Sequence, residues 1–294
     1  MRTIIGGIRS DVHGSHLIAN APDAGRLIRL SGQFCFSLTG TRGCPGYYRL
    51  DSSFTFTLVP CSAPLALREG RRCTRCEASD DSKLLHAAHK GREVPTLVSE
   101  YLAQQHWLYV AAFADGSVKI GTAAQSRKLE RLLEQGASAA EFVGLFPDGA
   151  SVRRVEESVS RIAGLSQSNS GARKVKGLLQ PVPEEEIDRA CSNAAALARS
   201  ASDELQRLAI SETWKAPPSE LLRPSAGRSR LPLNSLRVRD TREWDVRATL
   251  GRIGLVRDSA PTAIVDYVFD FGSLVGQEID TAPSPNLKDL DTLF

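Results

Sequence analysis

Lysine is scarce in this 294-residue chain: eight of its 37 basic residues are Lys and the rest are Arg. Methionine occurs once, aromatic residues make up 6 %, and the formal net charge is only +3. So small a positive excess excludes a protein that coats nucleic acid by bulk charge, and leaves room only for a local basic groove. Arginine's planar fork suits two-point contacts to phosphate or carboxylate, although a genomic base bias gives the same skew. Long apolar runs are missing as well. Nowhere do about 18 apolar residues follow one another, so no membrane span is expected. Residues 1–10 lack the apolar stretch of a secretory leader, which points to a cytoplasmic location. What is present is 41 % hydrophobic and 24 % charged, too apolar for a wholly disordered chain. The length suffices for one large core or two to three smaller ones.

Six cysteines are distributed unevenly. Cys35, Cys44, Cys61, Cys73 and Cys76 fall in the first 76 residues, and Cys191 stands alone. A tetrahedral zinc site needs four soft or borderline ligands converging at about 2.0–2.3 Å. Cys73-Thr74-Arg75-Cys76 brings two thiolates from one turn to one point. Cys44, in Gly43-Cys44-Pro45-Gly46, and Cys61, after Pro60, lie in turn sequences where ligating cysteines sit. Structural Zn2+ on Cys44, Cys61, Cys73 and Cys76 is the expected arrangement. A redox pair and unliganded thiols are the alternatives, and His86 or His89 can replace a ligand, unless they are solvated linker histidines. Cys35, between Phe34 and Phe36, reads as a packed thiol.

The expected fold is α+β in four parts: a β-rich cysteine region over 1–90, an α/β unit over 100–165, a long helix over 183–210, and a small C-terminal β subdomain over 233–280. In the first, 27–30, 34–38 and 53–59 are β-prone, and 77–100 reads as a partly helical linker. In the second, the apolar run Trp107 to Phe113, the turn signal Asp115-Gly116 and residues 117–121 make a hairpin. Leu129, Leu132 and Leu133 mark a helix that Gly136 ends, residues 142–146 a strand, and Val152, Val155, Val159 and Ile162 an amphipathic helix. Residues 166–180 read as an exposed loop whose basic cluster, Arg173, Lys174 and Lys176, is solvated or touches a phosphate backbone. The β character of 233–280 includes Leu236-Arg237-Val238 and glycines suited to the bends of a barrel or curved sheet. From Thr281 onward the chain reads as frayed.

Leu108-Tyr109-Val110, followed ten residues on by Lys119-Ile120-Gly121-Thr122, resembles the core of the GIY-YIG nuclease superfamily. Tyr109 matches the Tyr of its first motif, and Lys119-Ile120-Gly121 occupies the second, with Lys where a second Tyr is usual. Arg131 matches the Arg of the following helix, about two residues later than usual, and Glu156 matches the Glu of a later helix. With the cysteine pattern and Glu134-Gln135-Gly136-Ala137, residues 30–165 look like an uncharacterised family, domain of unknown function 2797.

The resemblance implies a phosphodiester site: Glu156 holding Mg2+ or Mn2+, Arg131 binding the phosphate, Tyr109 positioning water and Lys119 touching phosphate. The resulting expectation is a zinc-binding protein that engages nucleic acid, DNA or RNA, with divalent-metal-dependent endonuclease cleavage as its catalytic form. The alternative is a non-catalytic nucleic-acid- or protein-binding scaffold. In that case Tyr109 is a core residue, Arg131 pairs with Glu130 or Glu134, and Glu156 is a solvated helix residue.

Overall fold

The computed structural model describes all residues except 21–24, 64–66, 68–69, 89–92, 226, 234–241, 260–263 and 282–294. His89, the expected strand at Leu236-Arg237-Val238 and the tail beyond Thr281 lie outside the described residues, as does the side chain of His86.

Six strands come first: β1 (Arg2–Asp11), β2 (Gly14–Ala19), β3 (Leu27–Arg29), β4 (Gly32–Arg42), β5 (Tyr47–Leu50) and β6 (Phe56–Val59). Helices α1 (Thr74–Ala78), α2 (Asp81–Ala88) and α3 (Thr96–Ala103) follow. The middle of the chain gives β7 (His106–Ala112), β8 (Val118–Ala124), α4 (Lys128–Gln135), β9 (Ala139–Phe146) and α5 (Gly149–Ala163). Then come α6 (Gly171–Leu179), α7 (Glu184–Ser200), α8 (Asp203–Leu208) and β10 (Glu212–Lys215). The last strands are β11 (Ser229–Pro232), β12 (Arg242–Leu250), β13 (Ile253–Asp258), β14 (Val265–Asp270) and β15 (Gln277–Asp280). The fold is α+β, and no helix of the described residues is long and apolar enough to cross a membrane.

The elements form two compact units. The first comprises residues 1–49, 58–80 and 225–294. Its sheet has nine strands in the order β11-β14-β13-β12-β4-β15-β1-β2-β3. The C-terminal strands are therefore no subdomain of their own, contrary to the four-part layout read from the sequence. They flank β4, with Trp244 directly opposite Phe34 and Ile279 opposite Leu38. Apolar alternation puts Phe34 and Phe36 on one face of β4, in a core with Ile5, Leu17, Trp244, Val256, Phe271 and Ile279. Cys35 points to the other face and is half-buried.

The second unit comprises 50–57 and 81–224. Its sheet runs β10-β9-β7-β8. The hairpin β7–β8 turns through 113–117, where the Phe113 N–H donates to the Ser117 carbonyl at 2.9 Å. One face carries Leu108, Val110, Ala112 and Ile120 against α5 and α7. The small residues Ala194, Ala195 and Ala198 let α7 lie close to the strands. The other face carries Tyr109, Ala111 and Phe142 against Leu132 of α4.

Four local readings change. The strand expected over 53–59 begins at Phe56, because the Asp51 carboxylate takes the N–H groups of Ser53 and Thr55 and closes a turn. Residues 74–103 hold three helices, more order than a partly helical linker. The segment 166–180 is no open loop: Ser170 caps α6, its Oγ accepting from the Arg173 N–H at 3.2 Å, and Leu178 is buried. The single helix expected over 183–210 is two, since Ser202 caps α8 after α7 ends at Ser200.

Candidate functional site

In the first unit, Cys44, Cys61, Cys73 and Cys76 converge, with their four Sγ atoms within 4.8 Å of one another. The Cys61 and Cys73 sulfurs are 3.9 Å apart. Sulfurs at about 2.3 Å from a central zinc form a tetrahedron with edges of about 3.8 Å, so the spacing is close to that of a ligated set. Cys73 stands at the start of α1 and Cys76 within it, which puts both on one turn. The Cys73 N–H donates to the Cys44 Sγ at 3.3 Å, and Asn20 Nδ2 donates to the Cys44 carbonyl at 2.7 Å. Gly46 has φ +84°, and a Cβ there would lie 2.2 Å from the Val59 carbonyl oxygen. Only glycine lets the Cys44 turn pass the strand that leads to Cys61.

The Cys76 N–H holds the Cys73 thiol down to about 7, whereas burial pushes Cys61 and Cys76 up. Four thiolates cannot share that volume without a cation, and a divalent ion removes the repulsion. The donor set can hold a metal ion, and zinc fits it. Among the described residues, this is the group of Cys, His, Asp and Glu side chains that converges on one point.

In the second unit, the pairing of β7 with β8 sets Tyr109 opposite Gly121 and Ala111 opposite Lys119. Residues opposite one another share a face, so Tyr109 and Lys119 leave the same side of the sheet. The phenol lies over Gly121, where a Cβ would come 2.7 Å from the Tyr109 Oη. Helix α4 places Arg131 and Gln135 one turn apart, and the Gln135 Nε2 donates to the Tyr109 Oη at 2.7 Å. Helix α5 supplies Glu156, whose Oε2 accepts from Arg153 at 2.6 Å. From α6, the Lys174 Nζ donates to the Gln135 main-chain carbonyl at 2.7 Å.

Tyr109, Glu156 and Lys119 are 0 %, 2 % and 9 % exposed. The Arg131 and Arg153 side chains, at 45 % and 31 %, form the accessible rim. Burial pushes the Glu156 carboxyl up, opposed by Arg153 and Lys119. Burial, then the Arg131 and Lys174 cations, pull the Lys119 ammonium down to about 8. Burial raises the Tyr109 phenol, against Arg131 and the Gln135 hydrogen bond. Tyr109 and Lys119 each feel both Arg131 and Glu156, which links the four residues singled out in the sequence. Glu156 is not a solvated helix residue, while Arg131 does make the expected ion pair with Glu134, at 3.6 Å.

Sequence reasoning missed Gln135, Arg153 and Lys174. Gln135 and Arg153 lie one helical turn from Arg131 and Glu156, a spacing that marks a shared helix face but not what that face meets. Lys174 was legible only as part of a basic cluster. Arg153 and Lys119 act on the one buried carboxylate, and Arg131 and Lys174 add positive charge at Lys119, a set that favours an anion. Among the described residues the buried Gln135 Oε1 has no hydrogen-bond partner, which costs about 1–3 kcal/mol. No family model, curated relative or solved structure matches the chain.

Proposed function

We propose that this is a zinc-binding protein whose second unit has a GIY-YIG-like core and engages nucleic acid through a backbone phosphate. The observation that carries the reading is the clustering of cations at one place: Arg153 bonds the buried Glu156, Arg131 and Lys174 face Lys119, and Lys174 holds the Gln135 carbonyl behind the Tyr109 phenol. In this reading Arg131 and Arg153 meet the phosphate at the rim, and Lys119 receives it deeper. Zn2+ on Cys44, Cys61, Cys73 and Cys76 is structural, and so thiol-rich a centre suits a reducing compartment such as the cytoplasm.

As an endonuclease, the chain would hold Mg2+ or Mn2+ on the single carboxylate of Glu156, with water and phosphate completing the shell. Tyr109 would lie beside the attacking water. A non-catalytic binder is the second reading, and one contact favours it: Arg153 already occupies the Glu156 carboxylate.

Incubating the protein with mixed DNA and RNA plus Mg2+ or Mn2+ separates them. Cleavage by the wild type that Glu156→Ala abolishes makes it a nuclease. Binding without cleavage, equal or tighter in Glu156→Ala, makes it a binder. No binding by either protein sinks the nucleic-acid reading. Metal analysis that finds no zinc, with all thiols freely titrating, sinks the zinc assignment.

A further inference from the structure

Glu134-Gln135-Gly136-Ala137 has no part in the chemistry above, yet the fold puts a tightly held polar side chain there. Gln135 closes α4 one turn after Arg131, so both side chains leave the same helix face. Gly136, at φ 63°, ends the helix immediately after it. The Lys174 ammonium grips its carbonyl at 2.7 Å. The amide is satisfied at one end only: Nε2 donates to the Tyr109 Oη at 2.7 Å, while Oε1 is buried with no partner among the described residues.

Two consequences follow from hydrogen-bond inventory. A phenol oxygen that accepts from an amide keeps its own proton for another direction. A bare amide oxygen beside an anion site awaits a donor, and a phosphodiester has none to give. The donor is a hydroxyl travelling with the phosphate.

We propose that Gln135 is a positioning residue of this site: its N–H end holds the Tyr109 phenol with the proton turned away from α4, and its C=O end accepts from a hydroxyl beside the bound phosphate. That hydroxyl belongs to water or to a ribose 2′-position. The second half rests on the nucleic-acid reading above; the first half does not.

The test uses the full chain, zinc-loaded, with 13C at the tyrosine Cζ. The chain has five tyrosines, and Tyr109→Phe identifies the Tyr109 signal. Gln135→Leu is expected to move that signal and leave the other four in place. Gln135→Glu, which can only accept at that position near neutral pH, should turn the phenol round and move the signal the opposite way. A Tyr109 signal at the wild-type position in Gln135→Leu overturns the phenol-holding role.

Anisotropy with single-stranded DNA and RNA of one mixed sequence tests the other end. Gln135→Leu should weaken binding about tenfold, the size of one hydrogen bond. Loss for RNA alone assigns the ribose hydroxyl, and equal loss for both assigns water. Unchanged affinity for both overturns the acceptor role. If the wild type binds neither strand, the acceptor role falls with the nucleic-acid reading, and a moved Tyr109 signal still upholds the hold on the phenol.

Discussion

Tyr109 and Gly121 form one unit, since the phenol occupies the volume of the missing Cβ. Gly121→Ala should displace the ring and cost about 1–3 kcal/mol, read as a lower denaturation midpoint together with weakened nucleic-acid binding. Lys119 carries a cost of its own. Its ammonium is pulled from 10.5 to about 8, so the folded protein gives up that proton before the unfolded chain does. Stability therefore falls as pH drops from 10.5 to about 8, and the penalty is full below that. Lys119→Met should stabilise the fold at pH 7 by up to about 3 kcal/mol. The gain should shrink as pH rises through that window, which thermal melts across pH will check. A destabilising lysine at 9 % exposure fits the proposed anion site. Tyr109, Lys119, Arg131 and Glu156 were singled out only through a family resemblance, since by themselves they carry little spacing information. Gln135 and Arg153 were not, because a polar residue on an amphipathic helix looks the same whether it faces water or a buried phenol.

Among the elements, α6 departs most from its sequence appearance. Its Ser, Gly and Lys content suggests solvent, but the Ser170 cap and the buried Leu178 make it a helix. It then delivers Lys174 to the Gln135 carbonyl and within 5.2 Å of the Phe113 ring. Ser170→Ala should cost about 1 kcal/mol of helix stability without touching the site. Faster amide exchange over residues 171–179 and a few-fold loss of nucleic-acid affinity are expected together. Unchanged exchange would detach the cap from the helix. Strand β10 escaped notice for a different reason: four residues, Glu212–Lys215, become a strand only by pairing with the edge of β9. A pattern that short carries no periodicity to read. The hairpin β7–β8, by contrast, announces itself through Asp115-Gly116 between two apolar runs.

At the scale of the molecule, the α+β class and the convergence of the four cysteines followed from composition and turn chemistry. The partition into units did not. Local patterns identify strands, but partners about 200 residues apart leave no trace in either segment. The partition gives the metal a local test, because Trp244 belongs to the first unit and Trp107 and Trp214 to the second. With the proposed zinc loaded on the four cysteines, a chelator should move the fluorine signal of a 5-fluorotryptophan at 244 and open residues 58–80 to protease. The signals at 107 and 214 should hold. Movement of all three would mean that the metal supports more than its own unit.

Strand β4 brings a further consequence, in time rather than in space. Both of its neighbours, β12 and β15, are made roughly 200 residues later. At a synthesis rate of about 5–20 residues per second, β4 waits on the order of ten to forty seconds with two open edges. Phe34 and Phe36 face the cell throughout that wait. For this chain the hazard of misassembly peaks during translation, and nascent-chain chaperones have their widest window at the residues that end up deepest in the nine-stranded sheet.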